Sequence, residues 1–123
     1  MTPETDTVKA LAFGRIAIGA VSLLLPRLAA RLFLLDIRRN PQLAYMTRLF
    51  GAREIALGAI ALGAPEEAKT PLTGLGIAVD GADAVASVAA VRSGLIPKPA
   101  GALVTLAALG AVGAGAAALA GRR

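Results

Sequence analysis

A chain of 123 residues, 56% of them hydrophobic and none of them Cys or His, makes one domain. That composition excludes disulfides, thiol redox chemistry, histidine general-base catalysis and zinc sites built on Cys or His. The formal net charge of +5 comes from ten arginines and three lysines against eight acids, and the basic residues flank apolar blocks. This pattern suits anionic lipid headgroups rather than nucleic acid.

The hydrophobic excess lies in four blocks, each close to the ~20 residues that span a bilayer. Aromatics are only 3%, so the helices must pack through Ala, Gly and Leu. The expected fold is all-α: a four-helix transmembrane bundle with a short interfacial helix between its first and second spans. The whole chain, 1–123, is read as one four-pass domain.

Residues 1–7 read as a polar tail without a signal peptide's basic start, so the first helix is expected to be retained. The first span runs over 8–25 and is stopped by Pro26. Arg15, Gly19 and Ser22 share one of its faces. Residues 26–41 are too short and too charged to cross. They predict a short helix lying in the interface, with Arg27, Arg31, Arg38 and Arg39 toward lipid phosphates.

The second span runs over 42–64. Thr47, Gly51, Glu54, Gly58 and Ala61 form a face on which another backbone can approach closely. The segment Pro65–Pro71 reads as a short loop with Glu66 and Glu67 in solvent, which makes the second and third spans antiparallel neighbours. The third span runs over 72–92. Thr73, Gly76, Asp80, Asp83 and Ser87 form one continuous helical face. The fourth span, 100–120, has no charge. Gly110 and Gly115 begin and end its small-residue contact faces.

Counted from the helix ends that share a side with the termini, Arg15 and Asp80 lie roughly 11–13 Å deep, and Arg53 and Asp83 roughly 17–18 Å. Glu54 falls in the same layer. Arg15 is expected to pair with Asp80, and Arg53 with Asp83, because a guanidinium stays ionised and binds carboxylates in pairs. Two arginines against three carboxylates leave one negative charge. Either Arg48 folds back to cancel it, or one carboxylate holds a proton, or a cation binds.

Two elements also resemble a known group. Arg48-Leu-Phe-Gly51-Ala-Arg53 and Asp80-Gly-Ala-Asp83 are similar to elements of the small four-helix membrane proteins of high-GC bacteria that are filed as a domain of unknown function. That group is distantly DoxX-like. The resemblance, which includes Arg15 and Pro26, implies the fold and a membrane location and brings no activity with it.

The function expected is that of a non-enzymatic accessory subunit or self-associating protein of the bacterial plasma membrane. The alternatives are a small transporter or proton or cation relay using the intramembrane carboxylates, and a lipid- or quinone-binding protein. Membrane lipids, a larger membrane complex and a second copy are the expected partners. No cofactor, metal or nucleic acid is expected. The larger share of Lys and Arg near the spans lies in 26–46 and 92–98, which puts both termini away from the cytoplasm.

Overall fold

The computed structural model describes residues 3–121. They form five helices and no strand: α1 (Pro3–Leu24), α2 (Pro26–Leu32), α3 (Gln42–Gly63), α4 (Glu66–Arg92) and α5 (Lys98–Gly121). The four long helices and the short one between α1 and α3 are those the sequence predicts. Three of them, α1, α4 and α5, contain stretches long and apolar enough to cross a membrane. In α3 every 18-residue window holds Arg48, Arg53 and Glu54, and those three charges keep it out of that class.

Two helix starts differ most from expectation. The helix α1 runs back through the polar tail to Pro3, a residue whose fixed φ suits a first turn. Residues 65–71 are not a loop. Pro65 is the extended N-cap of α4, Glu66 and Glu67 fill its first turn, and Pro71 lies inside the helix. Acidic side chains favour a helix N-terminus, and this start overrides the cost of Pro71 in the second turn.

Prolines and one glycine set the remaining breaks. Leu25, with φ −131° and ψ 63°, leaves the helical region before Pro26 and separates α1 from α2, because a proline disfavours helical geometry in the residue before it. At the end of α2, Leu34 has φ +62°, and Leu35 N–H and Leu34 N–H bond back to Ala30 and Arg31. At the end of α4, Gly94 has φ +77°, and Leu95 and Gly94 bond back to Ala90 and Val91 in the same way. Both are left-handed helix stops, a role that usually takes glycine. The helix therefore ends at Leu32, and residues 33–41 continue as turns rather than as an interfacial helix.

Helix partners follow the small residues. The helices α1 and α3 pack antiparallel and most closely: Gly51 lies against the backbone of Gly19, and Gly58 against the backbone of Ala12. The helices α4 and α5 pair likewise, with Gly101 against Val91 and Gly115 against Ile77. Consecutive α3 and α4 touch at few points, which corrects the expectation of close neighbours. Of the three glycines on α4, Gly74 and Gly81 face no atom closely, and Gly76 faces Arg15 of α1 rather than α3.

The interior is made of small and polar side chains. Buried apolar positions are mostly alanines, such as Ala12, Ala84, Ala100 and Ala118. The bulky side chains lie outside, Phe13, Leu24, Val85 and Leu106 among them.

Candidate functional site

Arg15 on α1, Arg53 and Glu54 on α3, and Asp80 and Asp83 on α4 form one unbroken chain of ion pairs. Arg15 Nη1 donates to Glu54 Oε2 at 2.8 Å and to Asp80 Oδ1 at 3.1 Å, and Nη2 donates to Asp80 Oδ2 at 2.5 Å. Arg53 Nη2 donates to Asp83 Oδ2 at 2.7 Å and to Glu54 Oε1 at 3.3 Å, and Nη1 donates to Asp83 Oδ1 at 3.2 Å. Both aspartates are gripped by two nitrogens of one guanidinium, the geometry to which arginine is suited. Glu54 joins the two pairs, a role the sequence did not indicate.

The chain is buried at one end and partly exposed at the other. Arg15, Glu54 and Asp80 are buried. The side chains of Arg53 and Asp83 keep 39% and 29% of their surface exposed. The Phe50 ring centroid lies 5.2 Å from the Arg53 guanidinium carbon, a cation–π distance, and Arg53 Nε is buried without a partner. Oxygens of Glu54, Asp80 and Asp83 lie within 4.8 Å of one another, close enough to hold a metal ion. The two guanidiniums already occupy them.

Arg48 stands apart. It is exposed, and it joins none of these pairs. Five residues turn a helix by about 140°, which aims Arg48 away from Arg53. The positive group nearest in role is Lys69, which the sequence places in a loop and the structure places in the first turn of α4. Lys69 is half-buried and shares the wall of a cavity of about 70 Å³ with Arg15, Asp80 and Thr73. Its ammonium donates to the Ala61 carbonyl at 3.5 Å, near the C-terminus of α3, where a cation is favoured.

The glycines divide similarly. Gly51, Gly58 and Gly115 lie at helix contacts, and a Cβ at Gly76 would sit 3.2 Å from Arg15 Nη2. Gly110 is exposed with no atom near it, so its expected packing role is not found. Gly19 and Gly101 also make close contacts, with Gly51 and Val91. Gly19 had a signal, since it follows Arg15 by one turn. Between α4 and α5, Ser87 and Thr105 hydroxyls meet at 2.7 Å. Arg27, Arg31, Arg38 and Arg39 are all exposed on α2 and the turns after it.

Comparison with known proteins finds no matching family model, no matching characterised relative and no matching solved structure. Function rests on the site itself.

Proposed function

We propose that the protein is a four-pass membrane protein that acts as a non-enzymatic subunit, docking another membrane-embedded helix on its α3–α4 face. The carrying observation is the partial exposure of the Arg53–Asp83 pair between two helices that touch little. Ionised groups facing lipid are costly, and a docked helix would cover them. Exposed Ala56 and Ala86, one turn beyond Arg53 and Asp83, would let its backbone come close. The alanine interior and leucine exterior support the membrane setting. The third charge of α3, Arg48, can reach headgroups from near the helix start.

The chain has no cysteine, so single cysteines at Ala56 and Ala86 report this face cleanly. Oxidative cross-linking in native membranes should trap one dominant dimer or one partner band at both sites, with none from Phe13→Cys, an exposed position on α1. A protein that stays monomeric in membranes would end this reading.

A proton relay is the second reading, favoured by the excess carboxylate and by the cavity that reaches Asp80. Water in that cavity would connect Asp80 toward Lys69. A monomer showing a protonated-acid infrared band at neutral pH, lost in Asp80→Asn or Asp83→Asn, would decide for the relay.

A further inference from the structure

A second cavity, of about 210 Å³, lies at the opposite end of α1 from its start, between α1, α2, α3 and α5. Its wall is almost wholly apolar: Ala29, Ala30, Phe33, Leu43 and Phe50 are typical. Engineered cavities of about 150 Å³ hold a benzene ring, so this one has room for a segment of hydrocarbon chain. Met46 lines it and is itself exposed, so the cavity opens onto the outer surface of the bundle.

One wall residue does not fit an empty apolar pocket. Ser22 is 0% exposed, and its Oγ has no hydrogen-bond partner. A buried hydroxyl without a partner is destabilising, and an acceptor oxygen entering the pocket would satisfy it. Ser22 lies two residues inside the end of α1, about 3 Å along the axis. No charged residue lines the pocket. The charges stand outside it: Arg27 and Arg31 flank Ala29 and Ala30 on α2, and Arg38 and Arg39 follow Phe33 and Leu35, which also line it.

We propose that this pocket is a specific site for an anionic phospholipid. One acyl chain enters between α2 and α3, its ester carbonyl accepts from Ser22 Oγ, and the exposed arginines hold the phosphate. The order of groups matches the ligand: hydrocarbon in the apolar pocket, carbonyl at the helix end, phosphate at the arginines. The site rests on the membrane reading above, but not on the docking of a helix beside Arg53, although Phe50 borders both.

The test uses the full chain in phosphatidylcholine nanodiscs with a trace of phosphatidylglycerol carrying a diazirine at the end of one acyl chain. After illumination, adducts should concentrate on peptides containing Phe33, Met46 and Phe50, above those containing Phe13 and Leu106. Replacing Arg27 and Arg31 by Gln, both on the surface, should lower pocket labelling about fivefold for each arginine removed. Ser22→Ala should lower it further without changing labelling elsewhere. Labelling spread evenly over the exposed apolar faces would overturn the proposal. So would equal pocket labelling by the matching phosphatidylcholine probe. Recovery of the protein in the soluble fraction without detergent, before any probe is added, would instead overturn the membrane reading beneath it.

Discussion

Arg15→Leu should destabilise the protein by about 3–5 kcal/mol, the usual cost of breaking a buried ion pair by removing one partner. The reason is its position. Arg15 alone serves Asp80, and it shares Glu54 with Arg53. Its loss strands a buried carboxylate on α4 and weakens the hold on another on α3. Asp80→Leu should cost nearly as much. Asp83→Leu should cost less, because Asp83 and Arg53 keep contact with the surroundings. The double variant Arg15→Leu with Asp80→Leu should recover part of the loss, since Glu54 keeps Arg53 and no carboxylate is orphaned. Thermal melts followed by circular dichroism in detergent would measure all four. A double variant no better than either single would mean that Arg15 and Asp80 are not energetic partners. Arg48→Ala, on the exposed side of α3, should stay within about 0.5 kcal/mol of the parent.

Gly51→Ala and Gly58→Ala should be nearly as damaging, although each adds one methyl group. A Cβ at Gly51 would lie 2.6 Å from the Gly19 carbonyl oxygen, and one at Gly58 would lie 2.6 Å from that of Ala12. These obstacles are backbone, so α1 and α3 must move apart rather than a side chain turning aside. Overpacking of this kind costs about 1–3 kcal/mol at each site. Glu54 lies between the two glycines on α3, three residues after Gly51 and four before Gly58. Separation of the helices therefore also pulls Glu54 from Arg15. Gly110→Ala is the control: it adds the same methyl where nothing lies within 4 Å, and it should cause no loss. Equal losses at Gly51 and Gly110 would show that close approach is not what the glycines provide.

The charge pairs were legible because charges in apolar blocks have few partners to choose from. Matched depth picked Arg15 with Asp80 and Arg53 with Asp83, and the structure joins those residues. Rotation about the helix axis would have removed Arg48, since depth alone ignores direction. Glu54's bridging role depends on how far α1 and α4 stand apart, which no spacing within one helix reveals. The start of α4 was missed because Pro71 reads as a breaker, while the acidic first turn behind Pro65 supports a helix through it. The lateral order of the helices was also hidden. Short connections suggest that α3 and α4 pair, but close contact needs glycines facing each other, and those lie between α1 and α3.

The proposed four-pass topology requires α3 to cross the membrane with its charges paired inside the bundle, although it is too charged to count as a span by apolarity. Single cysteines at Asn40 and Glu67, both exposed and at opposite ends of α3, test it in sealed vesicles of known sidedness. A membrane-impermeant maleimide should label Asn40→Cys from the cytoplasmic face and Glu67→Cys from the other. Labelling of both positions from the same face would contradict the account.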